Sequence, residues 1–412
     1  MQGFKRNRLF GAIALNTALL ASTGAFAAEE AGYIEAGVFR LTPKLKTDIS
    51  HDDNVYQTKN DTDSSTVLTV NPTLEAKTTR GLNEYSLLLD IKDKRYSGQS
   101  DVDHTDVSAT VKVHQEFTSR HRIDLSLSSG RYHDSPTKIA STNERYAAKY
   151  DKQTADFVYG FGNEEAMAQI DVFGGVDERD HKKNDEKDSS SKTLGSTFYY
   201  RIMPKTKALV EVKKRSMTYD DKQTFNGELV DAGFDVTSYL VGLSWEATAK
   251  TSGYTKFGRR SRKAEAHNVD NEDANAWEVG VSYQLLPYSL IQLSTTRDYG
   301  LESDDPLSAS FTSGTNTTLS WNHEWSDRIS SRASWTMVRE EVQGVGGQTF
   351  KDRDGDTYSL GASWKVRRWV TLHADYSFEK RDESLKAAGR EADQTPNNFD
   401  QNVFSISVEL TL

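Results

Sequence analysis

The residues of this chain that could do chemistry stand in no recognised catalytic motif. The 412 residues include nine histidines, and neither Gly-x-Ser-x-Gly nor His-Glu-x-x-His occurs in the sequence. His51 precedes two aspartates, and His373 lies two residues before Asp375 on one predicted strand face. We interpret these histidines as solvated or pore-lining groups and predict that the protein is not an enzyme. A barrel hydrolase acting through His51 or His373 is the alternative, because a catalytic triad is defined by spatial geometry.

A short acidic segment resembles part of a calcium-binding loop. Asp352, Asp354 and Asp356 surround Arg353 and Gly355. The segment lacks the twelve-residue spacing and the closing glutamate of a calcium loop. We therefore predict an acidic outer loop and no metal site, with calcium at these three aspartates as the alternative. No nucleotide-binding motif is present, and we expect no cofactor.

Alternating apolar and polar residues predict strands with two unlike faces. Val370, Leu372 and Ala374, for example, alternate with Thr371 and His373. Charged residues continue through the middle of the polar faces, which is typical of strands around a watery lumen. The predicted pore-lining residues are Arg40, Lys44, Lys77, Lys92, Asp106, Lys112, Arg122, Asp124, Glu211, Lys213, Glu246, Glu278, Arg332, Lys365, Asp375 and Glu379. Because their signs are mixed, we expect a wide and weakly selective passage.

The breaks between the predicted strands alternate between short and long. Eight short breaks centre near residues 81, 119, 163, 204, 250, 287, 327 and 368. Nine long, charged segments lie at residues 50–64, 96–103, 132–149, 177–189, 216–234, 260–274, 298–312, 339–356 and 380–400. Eight turns and nine loops require eighteen strands with both termini on the turn side. This is the pattern of an all-β transmembrane antiparallel β-barrel with short periplasmic turns and long extracellular loops.

Three weaker segments leave the strand count between 16 and 18. Residues 251–260 alternate poorly, residues 288–296 carry apolar side chains on both faces, and Pro72 lies inside a predicted strand. A large secreted β-sandwich or solenoid is the alternative fold. Tryptophan and tyrosine near the strand ends favour the barrel, because aromatic girdles mark the two membrane interfaces. The pairs are Tyr239 and Trp245, Trp277 and Tyr283, and Trp321 and Trp325.

The N-terminus has the pattern of a secretory signal peptide. Lys5, Arg6 and Arg8 precede the apolar residues 9–20, and a small-x-small cleavage site ends at Ala27. We predict a cleaved signal peptide at residues 1–27, a short periplasmic segment at 28–36 and a single outer-membrane β-barrel at 37–412.

Composition restricts the chemistry further. The chain has no cysteine, which excludes disulfides and thiol-ligated metals. No apolar run of about 18 residues follows the signal, so helical membrane spans are excluded. Removing residues 1–27 would change the formal charge from −10 to −13, which argues against nucleic acid as a partner.

The first predicted hairpin resembles the opening of the outer-membrane β-barrel porins associated with bacterial exopolysaccharide and capsule loci. Pro43-Lys44-Leu45 is followed by Asp52-Asp53-Asn54-Val55 at the strand end, and the next strand contains Pro72-Thr73-Leu74. About 40 residues carry this resemblance directly. Without a ligand, Asp52, Asp53 and Asn54 can order a loop through local backbone hydrogen bonds.

The resemblance implies a passive conduit for exopolysaccharide export across the outer membrane. It implies a polysaccharide substrate and periplasmic export proteins as partners. We also expect contact with outer-membrane lipids and lipopolysaccharide and with the barrel-assembly machinery, because the C-terminal strand alternates from Phe404 to Leu412. A general diffusion porin for small hydrophilic solutes and a surface adhesin or receptor acting through the long loops are the alternatives.

Overall fold

The computed structural model describes residues 32–138, 145–163, 165–182, 188–225, 228–231, 233–246, 250–265, 271–300, 310–344, 349–386 and 397–412. Most of these residues belong to one antiparallel sheet. Among the described residues, no helix has the length and apolar character needed to cross a membrane.

Eighteen long strands within the described ranges form this sheet. They are β1 Phe39–Asp52, β2 Ser65–Arg80, β3 Asn83–Tyr96, β4 His104–Thr118, β5 His121–His133, β6 Lys149–Phe161, β7 Ala168–His181, β8 Ser189–Met203, β9 Thr206–Tyr219, β10 Phe234–Trp245, β11 Thr251–Ala264, β12 Glu272–Leu286, β13 Ser289–Gly300, β14 Ser310–Glu324, β15 Ile329–Gly344, β16 Thr349–Arg367, β17 Val370–Leu385 and β18 Phe399–Thr411. Each strand pairs with the next along the chain.

The sheet closes on itself, because β18 also pairs with β1 from Thr411 opposite Lys44 to Val403 opposite Asp52. A closed sheet has no free edge, so backbone groups are satisfied within the wall, as a bilayer requires. Seventeen connections join the eighteen strands, eight at the end of the barrel predicted to carry the turns and nine at the other end. The predicted fold and the upper strand count are therefore confirmed.

Pro72 is accommodated inside β2 by its neighbour. The ladder between β2 and β3 is interrupted at this point and resumes on both sides in the same register. The side-chain amide of Asn71 donates to the carbonyl oxygen of Ile91 at 2.6 Å. A side chain thus satisfies a carbonyl beside the residue that lacks an N–H.

Several segments predicted as long loops are largely strand, and those predictions were wrong in extent. In the segment 339–356, β15 continues to Gly344 and β16 begins at Thr349, with Arg339 opposite Asp354. The segments 177–189 and 260–274 are shortened in the same way. Near the loop end both faces carry charged residues, but side-chain polarity does not prevent backbone pairing.

The outward face carries an apolar band. Ile406 in β18 is 54% exposed and Leu360 in β16 is 60% exposed, positions that suit contact with lipid acyl chains. Near the turn end, Trp325, Trp364 and Trp369 are also exposed. An apolar exterior bounded by aromatic side chains agrees with a membrane-spanning wall.

A short strand precedes the barrel. Ile34–Ala36 pairs with the first residues of β1 around Gly37, whose φ of 65° favours glycine. Residues 1–31 lie outside the described part of the chain, and with them the predicted signal peptide, which stays a prediction.

Candidate functional site: the inner wall of the barrel

The inner face of the wall is identified by contacts between strands that are not neighbours. Lys213 in β9 reaches Glu278 in β12 at 3.4 Å, although β10 and β11 lie between them in the sheet. Arg215 in β9 reaches Asp298 in β13 at 3.1 Å. Only the concave, inner face of the wall allows such contacts. Because side chains alternate between the two faces of a strand, the pairing of each strand with the next then shows which residues of every strand face inward.

The ladder registers place the predicted pore-lining residues as follows. Glu246 directly follows β10, where its backbone N–H donates to the Lys205 carbonyl, so it lies at the turn and not within a strand of the wall. The others occupy inward positions: Arg40, Lys44, Lys77, Lys92, Asp106, Lys112, Arg122, Asp124, Glu211, Lys213, Glu278, Arg332, Lys365, Asp375 and Glu379.

One arc of the inner wall, from β9 to β13, carries a set of paired charges that we name the buried ion network. Glu278 lies 2.7 Å from Arg260 and 3.1 Å from Lys256. Lys256 also contacts Glu211 at 2.7 Å, and Arg260 contacts Asp298 at 2.9 Å. The network consists of Glu211, Lys213, Arg215, Lys256, Arg260, Glu278 and Asp298.

Burial makes this network a structural feature of the wall. The side chains of Arg260, Glu211 and Glu278 are 1–3% exposed. Charges removed from water are tolerated only when partners compensate them. Because each of these cations faces at least one carboxylate, the network leaves little free charge on this arc.

Lys256 and Arg260 were not among the predicted pore-lining residues. Residues 251–260 alternate poorly and residues 260–274 resemble a loop in the sequence, because charges occupy both faces of β11. Arg259 points outward opposite Tyr239, whereas Arg260 points inward opposite Ser238. Basic residues at the even positions 256, 260 and 262 were the available sign of an inward basic face.

The opposite arc, on β1, β3 and β4, is different. Lys44, Lys46, Lys92, Lys94 and Lys112 face inward there, and we name them the lysine wall. Within the described ranges, none of the five is in an ion pair. Lys46, Lys92 and Lys94 line a cavity of about 330 Å³, together with polar side chains that include Asp48, Ser50, Thr69 and Asn71.

The first long connection, residues 53–64, folds inward at the loop end of this arc. Val55 and Tyr56 pack with Val67, Tyr96 and Val102 in a buried apolar cluster. Val67 and Tyr96 occupy inward positions, since Val67 lies opposite Ser50 in the ladder. Burial, together with the charge of Asp101, raises the pKa of the Tyr56 hydroxyl. The connection therefore covers part of the loop-end mouth with an apolar contact.

The Asp-Asp-Asn motif lies at the seam where the first and last strands meet. Asn54 donates through Nδ2 to the carbonyl oxygens of Thr58 and Asp400, both at 2.8 Å. The two carboxylate oxygens of Asp53 accept from the backbone and side chain of Asn402, both at 2.7 Å. The motif thus continues the closing ladder into the loops, and its hydrogen bonds need no ligand to explain them.

The candidate calcium ligands lie on a strand, and their predicted loop setting was wrong. Asp352, Asp354 and Asp356 occupy outward positions of β16, and the first and last are about 13 Å apart along the strand. Arg339 contacts Asp354 at 3.5 Å and Asp356 at 2.7 Å. No group of three acidic, histidine or cysteine side chains arranged to hold a metal ion occurs in the described part of the chain.

The two candidate catalytic histidines lie at different places on the wall. His51 is exposed at the loop end of β1. His373 faces inward and its Nδ1 lies 2.8 Å from Ser363 Oγ. Asp375 shares the inward face of β17, yet it contacts Arg332 at 2.9 Å instead. The described side chains thus do not bring His51 together with His373.

Comparison with known proteins agrees with this architecture. A family model described as "putative beta-barrel porin 2" matches residues 28–411. No curated protein matches the chain.

Three solved structures are similar to this chain. The FrpB iron transporter from Neisseria meningitidis is 11% identical, with a TM-score of 0.50, over 90% of this chain and 82% of that chain. The siderophore receptor PiuA from Acinetobacter baumannii is 10% identical, with a TM-score of 0.48, over 92% and 82%. OmpT of Vibrio cholerae is 10% identical, with a TM-score of 0.36, over 92% and 100%. Identity this low concerns the fold alone, whereas the family model spans nearly the whole chain, and the protein therefore belongs to the putative beta-barrel porin 2 family.

Proposed function

We propose that this outer-membrane barrel is a passive conduit through which exopolysaccharide leaves the cell. In this proposal the nine connections at the loop end face outward and the eight at the turn end face the periplasm, as in bacterial barrels of this kind. The chain has no nucleotide-binding motif, so the driving force comes from the machinery that makes and delivers the polymer.

The observation that carries this proposal is the chemistry of the inner wall. Inward positions hold charges of both signs together with hydroxyl and amide groups, as on β17, where Thr371, His373, Asp375 and Ser377 follow one another. A hydrated polysaccharide passing such a wall exchanges many weak hydrogen bonds with water for similar bonds to protein. No single strong contact is then required, and the polymer is not retained.

Inward aromatic side chains support a saccharide as the moving molecule. Tyr132 and Tyr150 lie opposite each other on β5 and β6, with ring centroids 5.7 Å apart. His181 on β7 continues the row, with its ring centroid 5.2 Å from that of Tyr150. An aromatic ring is a flat apolar surface with a polar edge, and the C–H face of a sugar ring can pack on it.

Deletion of the gene in the native host tests this function. We expect surface polysaccharide to be lost while its synthesis continues, so that polymer accumulates inside the outer membrane. The deletion strain complemented with the wild-type gene is the control. Unchanged surface polysaccharide in the deletion strain would refute the conduit.

A general diffusion porin is the second candidate, because the family is a porin family. In that case purified protein in liposomes would admit small neutral sugars at rates that fall steeply with solute size. The deletion strain would then keep its surface polysaccharide and lose uptake of small solutes.

A further inference from the structure

We propose that the lysine wall is a binding track for acidic sugar units of the transported polymer. This inference rests on the proposed function and names its substrate class: a polysaccharide that carries carboxylates. Four observations support it, namely the extent of the wall, the lack of partners for its lysines, the cavity between three of them and the contrast with the buried ion network.

The lysines follow the inner wall from the turn end toward the loop end. The ladder places Lys112 in the row of Ser86, Lys77 and Arg40, near the turns. Lys44 lies two rows higher. Lys46 and Lys92 lie in the next row, and Lys94 lies in the row above. Successive inward rows are about 7 Å apart along a strand, so the track is roughly 27 Å long.

The lysine ammonium groups are available to a ligand. Within the described part of the chain, no carboxylate lies within ion-pair distance of any of the five. Two nearby carboxylates have other partners, since Asp106 contacts His133 at 2.8 Å and Asp90 accepts from Asn71 at 3.3 Å. Asp48 and Glu75 also face inward here, so two further carboxylates lie among the lysines of the wall.

The charge balance of these five rows is positive. The inward basic residues are Arg40, Lys44, Lys46, Lys77, Lys92, Lys94 and Lys112, and the inward acidic residues are Asp48, Glu75, Asp90 and Asp106. Seven basic residues thus face four acidic ones within these rows, although the protein as a whole has a formal charge of −10. Two carboxylates border the rows: Glu84 pairs with Lys77 at 2.8 Å at the turn end, and Asp52 lines the cavity at the loop end. A local excess of positive charge in an acidic protein favours an anionic partner at this place.

The cavity between Lys46, Lys92 and Lys94 indicates that the anion belongs to a sugar. Its volume of about 330 Å³ exceeds that of a bare ion. Ser50, Thr69 and Asn71 line it beside the lysines and supply hydroxyl and amide groups for sugar hydroxyls. The inward-folded Tyr56 and Val55 border the same region, because they pack on Val67 and Tyr96, which also line the cavity. Lysine acts as a point charge here and does not fix ligand geometry, which suits a moving polymer.

Ion conductance through the full-length protein in planar bilayers tests the track, with oligogalacturonate as the acidic probe and a maltooligosaccharide of equal length as the neutral one. We expect oligogalacturonate to block conductance at lower concentration than the neutral sugar, and salt to weaken the block. The variant Lys46→Gln/Lys92→Gln/Lys94→Gln should raise the half-blocking concentration about tenfold, since each partly exposed ion contact contributes a factor of about two.

The control Lys192→Gln/Lys214→Gln/Lys263→Gln removes the same charge from exposed positions on the outward face. It should leave the block unchanged. Binding of oligogalacturonate to the protein in detergent, measured by calorimetry, reports on the same sites if either variant conducts poorly. Equal block of the wild type and the inner variant would overturn the track, as would equal block by the neutral sugar.

The two proposals fail separately. If deletion abolishes surface polysaccharide but the block does not depend on the three lysines, the conduit stands and the track is refuted. If the block depends on the lysines but deletion leaves surface polysaccharide in place, the conduit is refuted. The lysines then bind anionic sugars in a general porin and do not act on an exported polymer.

Discussion

At the scale of single residues, Glu278 is the centre of the buried ion network. Its carboxylate lies within 3.4 Å of Lys213, Lys256 and Arg260, which come from two other strands. These cations lie close together, and without the Glu278 carboxylate they would repel one another. The network therefore depends on this side chain more than on any exposed ion pair of the wall.

Replacing Glu278 by alanine should lower the free energy of unfolding by about 3 kcal/mol, because it leaves buried cations partly uncompensated. The measurement is equilibrium unfolding in urea with the barrel in detergent micelles. Glu84→Ala is the matched control: its partner is Lys77 at 2.8 Å, but both side chains are nearly half exposed. That control should cost less than about 1 kcal/mol. Similar losses in the two variants would contradict the burial argument.

Asn54 is the residue on which the seam motif depends. It is 1% exposed and makes three hydrogen bonds to backbone groups, one of them to Asp400 near the C-terminal end of the chain. Each such bond contributes about 1 kcal/mol, and a buried backbone group left without a partner costs more.

We expect Asn54→Ala to lower the unfolding free energy by about 2–3 kcal/mol through these lost bonds. Asn60→Ala, in the same connection but at an exposed position, should change it by less than about 0.5 kcal/mol. Urea unfolding followed by tryptophan fluorescence distinguishes them. If both variants unfold at the wild-type urea concentration, the motif does not hold the seam.

At the scale of the elements, the two neighbours of β11 come close to each other. Gly242 on β10 and Gly258 on β11 face inward, and Cα atoms of β10 and β12 approach within 8 Å across β11. A Cβ atom at Gly258 would overlap the backbone carbonyl of Tyr239. From β11, Lys256 and Arg260 reach the carboxylates of Glu211, Glu278 and Asp298.

Gly258→Ala should therefore reduce the yield of folded barrel, because the backbone of β10 has to move to admit one methyl group. Gly355→Ala on β16 is the matched control, since a Cβ there would lie 3.7 Å from its nearest neighbour, an ordinary contact. The readout is the folded fraction after refolding into detergent, resolved on gels without boiling. Equal folding of both variants would show that the close approach at Gly258 is not limiting.

At the scale of the whole molecule, stability comes from closure. All eighteen strands pair on both sides, so no strand can leave without breaking two ladders. Outward apolar side chains meanwhile require lipid or detergent. We therefore expect the chain to fold, to close its sheet and to enter the membrane together.

The purified protein should need detergent to stay in solution and should migrate differently on gels before and after boiling, because a closed sheet resists denaturant until it is heated. Removal of residues 399–412 deletes β18 and leaves β1 and β17 with free edges. That truncated chain should migrate alike with and without boiling. A wild-type protein that is soluble without detergent and insensitive to boiling would exclude the barrel.

Much of this architecture could be predicted from local sequence. The spacing of short breaks such as 80–83 and 286–288 predicted eight turns, and the turns lie there. Alternation predicted which residues of β17 and β18 share a face. The boundaries on the loop side were wrong because charge was interpreted as loop, whereas Arg339 and Asp354 are opposite each other in a ladder.

The sequence by itself determined that the protein is a barrel and which side of each strand is polar, because side chains in a strand alternate with a period of two whatever lies beyond the neighbouring strand. Only the tertiary structure decided which polar groups meet. Whether Lys213 reaches Glu278, or Lys46 has no ion-pair partner among the described residues, depends on the curvature and stagger of the closed wall. Those are properties of all eighteen strands together, and no single segment of the chain encodes them.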